Sequence, residues 1–491
     1  MRWGLSRWAG ASGWMKPMGA EVKLDIIDPA SEEIVARIAE DDAAAVDAAV
    51  KKARAAFDGG WRSASVEARQ RALRDAAKAI GDHVEELATL ETLNTGILLK
   101  DARARYAART ARNFEFFAEY IGQTAGRVFD QNPAYITSVR REPIGVAGLI
   151  APWNLPLALG SMKIAAAIAF GNTCVIKPSE QAPLAVIRLG EILAEILPAG
   201  VVQVINGRGH ITGAALVSHP DVAAISFTGG TETGRRIAAA AGDGMKPVTM
   251  ELGGKSANII FESADFDRAL DAALLGVFAN NGQQCLAGSR ILVQASIADR
   301  FIEAFAARTR AIRIGHPHDP ATELGPVASA LQRDKVLSAY AEAIEEGARP
   351  LAGGKRAPGF ERGFYVEPIA VEAPSNALKA CQEEIFGPFA TIIRFDTEDD
   401  AYSIANGTRY GLVSYVWTRD LAQSMRAQER LASGVVWINT PVTRELRAPF
   451  GGVKQSGIGA EGGAACEALY TREKTITIPR SDFPIEKIGA G

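Results

Sequence analysis

The period of hydrophobic positions changes along the chain. From about residue 31 to 120, one short apolar run, "EEIVARIA", is followed by Ala-rich stretches with apolar residues three and four apart. This predicts one strand and then long amphipathic helices. From 145 to 251, five short apolar runs alternate with helical stretches: "VAGLIAP", "TCVIKP", "VVQVING", "AAISFTG" and "PVTMELGG". That alternation predicts βαβ units around a parallel sheet. A second series opens at "ANIIF" and continues through "RILVQ", "ATIIRF", "VSYVWT" and "GVVWIN", predicting a second α/β domain of about 190 residues. Two pieces, "AYITSVRRE" at 134–142 and "KTITIP" at 474–479, alternate like edge strands and belong to neither series. Exposed strand edges invite pairing with another chain.

A chain of 491 residues is too long for one core and implies two or three domains. Its 54 basic and 57 acidic residues leave a net charge of −3, too little to attract nucleic acid or an anionic membrane, so the expected partner is a small molecule. The longest apolar run, "IAAAIAF" at 164–170, stops at Gly171 and Asn172, far short of the ~20 residues of a membrane span. The first 20 residues are broken by Gly4, Gly10 and Gly13 and lack the apolar core of a secretory signal. They read as a frayed leader ahead of a start at Met15 or Met18. Cys174, Cys285, Cys381 and Cys466 form no C-x-x-C pair, and the five histidines form no H-x-x-x-H pair. This argues against zinc and a disulfide framework and fits a reducing cytoplasm.

Several segments could carry chemistry. In "FANNGQQCLAGSR", 278–290, glycine and amides hold a tight turn before Cys285, which is either a working thiol or a small buried residue. In "APWNLPL", 151–157, Asn154 follows Trp153 and opens a helix; its amide could donate to an oxyanion or cap the helix. "VIKPSEQAP" places Lys177 and Glu180 past a strand's C-terminal end, where open parallel sheets bind ligands; the alternative is solvated charge. "ISFTGGTETGRRIA", 225–238, runs from strand through glycines into a helix, a turn that offers free N–H groups to an anion. Its Gly229 to Gly234 spacing is G-x-x-x-x-G, and the dinucleotide fingerprint G-x-G-x-x-G is absent. In "MELGGK", Glu251 follows an apolar run; a carboxylate drawn out of water gains proton affinity and can serve as a general base.

Taken in order, "PWNLPL", "KPSE", "FTGGTETG", "MELGGK", "F-x-N-x-G-Q-x-C" and "EEIFGP" resemble the NAD(P)-dependent aldehyde dehydrogenase superfamily over roughly 21–480. The resemblance implies an α/β fold with three parts. A Rossmann-like NAD-binding domain would span 1–122 and 143–252, a second α/β catalytic domain 253–455, and a small β oligomerisation arm 123–142 and 470–491. Homodimers or homotetramers are the implied assemblies. By motif, Cys285 is similar to the family nucleophile, Glu251 to its general base and Asn154 to its oxyanion donor. Lys177 and Glu180 would hold the adenosine ribose, Glu384 the nicotinamide ribose with Phe386 beside it, and Trp153 would also face the cofactor. Gly229, Gly230 and Gly234 would lie by the pyrophosphate. NAD is favoured over NADP, because the Glu180 carboxylate would repel a 2′-phosphate. Gly230 stands where many relatives have Ser, Ala257 where Pro is frequent, and Ile97 in place of the Lys of "N-G-K". Cys174, Cys381 and Cys466 match no motif and read as structural.

The stretch "NTPVTRELRAPFGG", 439–452, resembles the hydroxymuconic and aminomuconic semialdehyde dehydrogenases. That resemblance implies that Arg444 grips a substrate carboxylate, with Arg109 of "RTARNFEFF" as a second anchor; the alternative is that both are solvated charges. The expected reaction is NAD-dependent oxidation of a carboxylated semialdehyde to an acid through a cysteine thioester. Other readings are uncharged aldehydes, succinate semialdehyde, transfer of the acyl group to coenzyme A, or a silent binding relative. Glu251 argues against acyl transfer, since such relatives commonly lack it.

Overall fold

A computed structural model describes residues 23–482 and 485–489; the leader read at 1–20 lies outside them. The five apolar runs between 146 and 251 pair in parallel in the order Val248–Glu251, Val222–Thr228, Val146–Ile150, Thr173–Lys177, Val202–Val204. Strands buried on both faces need continuous apolar runs, and alternate residues divide between two cores. Ala147, Leu149, Cys174 and Ile176 pack with the helices Val66–Asp82, Ala108–Tyr120 and Pro156–Ala169. Val146, Val175 and Ile225 pack on the opposite face with Val46 and Val50 of Ala43–Asp58. The first strand of this series lies between the second and the fourth, so the winding direction reverses beside Val146–Ile150. Open α/β sheets bind ligands beyond the strand ends at such a switch point.

Outside the five runs, Gly457–Ile458 joins this sheet antiparallel to Val248–Glu251, with Gly457 opposite Glu251. The pairing spans about 200 residues and leaves no local pattern to read.

The second series forms a seven-stranded sheet in the order Arg349–Ala352, Ile369–Glu372, Phe389–Phe395, Arg290–Gln294, Ala257–Ile260, Val413–Trp417, Val435–Ile438. Its first two strands are additions to the predicted five, as is Lys23–Ile27, which pairs with Ile34–Ala39. The outlying pieces pair with each other: Thr471–Pro479 runs antiparallel to Tyr135–Pro143 over nine residues, and Arg127–Phe129 completes a three-stranded sheet, so Thr471–Pro479 is an edge as expected, whereas Tyr135–Pro143 is the central strand. Val128, Phe129 and Ile478 leave large apolar side chains exposed on this sheet. Among the described residues no helix is long and apolar enough to cross a membrane.

Candidate active site

The turn before Cys285 has an unusual backbone. After the helix Phe266–Phe278, Asn280 (φ 52°), Asn281 (φ 55°) and Gly282 (φ 73°) all take left-handed conformations, which only Gly and Asn-like residues adopt readily. Gly282 admits no side chain: a Cβ there would lie 2.1 Å from the carbonyl oxygen of Gly387 in "EEIFGP". The amides hold the turn from several sides. Asn281 Nδ2 donates to the carbonyls of Gly96 (3.0 Å) and Pro326 (2.8 Å), and its Oδ1 accepts from Gly325 N. Gln283 Oε1 accepts from Ala328 N, and Gln284 Nε2 donates to the Ala279 carbonyl. Cys285 emerges half-buried. Burial, then the charges of Glu384 and Glu251, push its thiol up to about 12, so the resting group is protonated and must lose that proton before it can act.

Asn154 does not cap the helix it precedes. That helix, Pro156–Ala169, is preceded by Leu155 and has no side-chain cap bond from it. Instead Asn154 Nδ2 donates to the Gln283 carbonyl at 2.8 Å, while Asn280 Nδ2 donates to the Asn154 carbonyl at 3.2 Å. A carboxamide has two N–H donors, so one fixes the group on the cysteine turn and the other remains for a ligand. Glu251, the last residue of its strand, is 4% exposed. Neither carboxylate oxygen has a hydrogen-bond partner among the described residues. Burial and the charge of Glu461 raise its proton affinity well above the usual carboxylate range, opposed by Lys163 and Arg444.

Lys163 and Glu461 escaped the sequence reading. They form a buried ion pair at 2.6 Å, and Lys163 also donates to Ser226 Oγ. Burial pushes the Glu461 carboxyl up, but Lys163, Arg444 and Arg109 outweigh it and hold the group below its ordinary value. The available signal was a lone lysine against the most apolar run of the chain, in "SMKIAAAIAF". A charge there must be paired.

Asn154, Glu251 and Cys285 share a cavity of about 760 Å³ with Lys177, Glu180, Trp153, Gly229, Gly230, Glu384 and Phe386. Lys177 Nζ donates to the carbonyls of Gly207 (2.6 Å) and Pro178 (2.9 Å) and meets Glu180 Oε2 at 3.3 Å; burial pulls its pKa down. Glu384 accepts from Gly254 N at 3.0 Å, and burial pushes it up to about 7. The rings of Trp153 and Phe386 meet edge to face at 5.1 Å. Gly229 is pressed on Phe227, where a Cβ would come within 2.5 Å, and Gly230 opens the helix Thr231–Asp243 with free space around it and no side-chain cap. Thr228 Oγ1, also on the cavity wall, is buried without a partner. Uncapped N–H groups and an unmatched hydroxyl fit a diphosphate. Gly234 does not line the cavity: a Cβ there would lie 2.4 Å from Leu252 Cδ2, so the expected place by the pyrophosphate gives way to a helix–sheet packing role.

A second cavity of about 640 Å³ is lined by Arg109, Arg112, Phe116, Glu119, Tyr120 and Gln123 together with residues 444–447. The outer arginines are paired, Arg447 with Glu445 at 2.9 Å and Arg112 with Glu115 at 3.6 Å. Arg109 Nη2 and Arg444 Nε and Nη2 are buried without hydrogen-bond partners. The inner two differ from the outer arginines in carrying buried guanidinium nitrogens with no partner among the described residues. Burial and the neighbouring Arg444 pull Arg109 down to about 10. The Arg444 guanidinium stacks 4.3 Å over Phe450, which packs on the same apolar cluster as Cys285. Arg109 follows a π-helical turn, Ala102–Ala107, a distortion frequent at functional sites.

Comparison with known proteins shows the family. The profile described as "Aldehyde dehydrogenase family" matches residues 14–476. The chain is 41% identical over 462 residues to 2-hydroxymuconic semialdehyde dehydrogenase of Pseudomonas sp. (strain CF600), covering 92% of this chain and 95% of the relative. It is 41% identical over 442 residues to 5-carboxymethyl-2-hydroxymuconate semialdehyde dehydrogenase of Escherichia coli, covering 89% and 93%. Among solved structures, PnpE of Pseudomonas sp. WBC-3 superimposes with a TM-score of 0.93 at 43% identity, covering 95% of this chain and 96% of PnpE; PnpE has also been solved in complex with nicotinamide adenine dinucleotide. The chain belongs to the aldehyde dehydrogenase family.

Proposed function

We propose that this enzyme oxidises a carboxylated semialdehyde of aromatic catabolism to the corresponding acid, with NAD as its cofactor. The observation that carries the substrate class is the inner arginine pair on the second cavity, with Arg109 Nη2 and Arg444 Nε and Nη2 buried without hydrogen-bond partners. Guanidinium groups bind carboxylates through planar paired donors, and both first-mentioned relatives are named for substrates of that kind.

The Cys285 thiol gives up its proton to solvent water, and its sulfur adds to the aldehyde carbon; the new oxyanion is met by the free Asn154 N–H and the Cys285 backbone N–H. NAD, held by Lys177, Glu180, Glu384 and the turn at Gly229–Gly230, supplies the hydride acceptor. Loss of hydride leaves a thioester on Cys285. Glu251, unpartnered in the same cavity, removes a proton from water; the water oxygen bonds to the acyl carbon, the C–S bond breaks and the thiolate is restored. We further propose that the exposed apolar edge at Arg127–Phe129 pairs in a homodimer or homotetramer.

Arg444→Ala should raise KM for a carboxylated semialdehyde at least tenfold, about 1.4 kcal/mol, and barely alter an uncharged aldehyde. Steady-state kinetics on both substrates decides this; an equal effect on the two returns Arg444 to the role of a surface charge. Cofactor choice follows from Glu180. Lys177 donates to two carbonyls and meets Glu180 Oε2 at 3.3 Å, which leaves Glu180 Oε1 to accept ribose hydroxyls, and the carboxylate would repel a 2′-phosphate. The expected kcat/KM is at least about tenfold higher with NAD than with NADP, and equal values would contradict it.

A further inference from the structure

The loop that carries Trp153 and Asn154 runs into the helix Pro156–Ala169, whose start is chemically bare. Pro156 has no N–H, and no side chain at the preceding Leu155 caps the helix. A helix start buried in this way needs an outside acceptor. It comes from Glu91, 66 residues upstream on the helix Val84–Thr95: Glu91 Oε2 accepts from Leu157 N at 3.2 Å. Glu91 is 0% exposed, and its Oε1 has no partner among the described residues. Three residues on, Asn94 repeats the device: its Oδ1 accepts from Leu184 N, the first residue of the helix Leu184–Ile196, and its Nδ2 donates to the Gln181 carbonyl. One turn of one helix thus seats two other helices, each just after a loop that lines the 760 Å³ cavity.

We propose that Glu91 is a positioning residue for catalysis: by capping Leu157 it fixes the loop that sets the Asn154 amide against the cysteine turn. This rests on the reading of Asn154 as the oxyanion donor. Burial pushes the Glu91 carboxyl up to about 8, so near neutral pH it is mostly the uncharged acid, and a glutamine retains both its shape and its acceptor. A methionine keeps the volume and lacks the acceptor.

The test is the burst of reduced cofactor formed on mixing enzyme, NAD and aldehyde, recorded beside the Kd for NAD. Glu91→Met should slow the burst at least tenfold with the Kd for NAD within about twofold, and Glu91→Gln should restore the burst to within about twofold of wild type. Because Glu91 acts through Asn154, the double variant Glu91→Met/Asn154→Ala should be no slower than Asn154→Ala alone. A wild-type burst in Glu91→Met, a burst in Glu91→Gln as slow as in Glu91→Met, or additive slowing in the double variant overturns the proposal. If Glu91→Met does not fold, Glu91→Asp, which draws the acceptor back by one methylene, should slow the burst, and a wild-type rate there overturns it equally. A wild-type burst in Asn154→Ala overturns the oxyanion reading and this proposal with it; a slow Asn154→Ala beside a wild-type Glu91→Met overturns this proposal alone.

Discussion

Cys285→Ala is expected to lower aldehyde oxidation below about 1% of wild type while the Kd for NAD stays within about twofold. The first effect follows because hydride cannot leave an aldehyde carbon until a nucleophile has made it tetrahedral, and Cys285 is the cavity's one thiol among the described residues. Cys174, Cys381 and Cys466 are all buried, whereas Cys285 is partly exposed, and none of the three lines that cavity. The second effect follows because the groups assigned to NAD lie on other segments, at Lys177, Glu180, Gly229 and Glu384. Cys174→Ala is the matched control. It removes a sulfur from the middle of a strand and should leave turnover unchanged. Turnover of Cys285→Ala well above that level would move the nucleophile elsewhere.

Glu251→Gln should separate the two halves of the reaction. Hydride transfer needs the thiolate and the oxyanion donors, whereas hydrolysis of the thioester needs a base for water. The variant should therefore release close to one equivalent of reduced cofactor per site and then turn over at least about a hundredfold more slowly. A slow linear trace with no burst would contradict this assignment. The pH dependence has a definite sign. Burial and Glu461 raise the Glu251 pKa, so at low pH the group holds its proton and cannot act as a base. Hydrolysis by wild type should rise with pH through a value above the ordinary carboxylate range, and in the Gln variant that rise should disappear.

Much of this was legible in the sequence, and the residues that were not share a cause. Runs such as "TCVIKP" and "RILVQ" announce strands because strands buried on two faces must be apolar throughout. Lys23–Ile27 and Arg349–Ala352 are short, carry charged residues and lie beside a single neighbour, so their pattern is weak. Gly457–Ile458 is specified by its partner and not by itself. Within the site, Cys285, Asn154 and Glu251 stand in motifs whose turns demand particular residues, as Gly282 does against Gly387. Lys163, Glu461 and Glu91 are single charged residues in ordinary helix or loop text. Their meaning comes from partners 298 and 66 positions away, and a one-dimensional reading cannot name those partners. Gly234 errs the other way: it belongs to a glycine motif, yet its missing side chain makes room for Leu252.

The most direct measurement is the mass of the intact chain after Glu251→Gln has been mixed with NAD and a carboxylated semialdehyde and quenched in acid at the end of the burst. A thioester adds the mass of the aldehyde less two hydrogens, and peptide mapping should place it on Cys285. Unmodified protein after a full burst, an adduct of the intact aldehyde, or an adduct on any other cysteine would contradict the account.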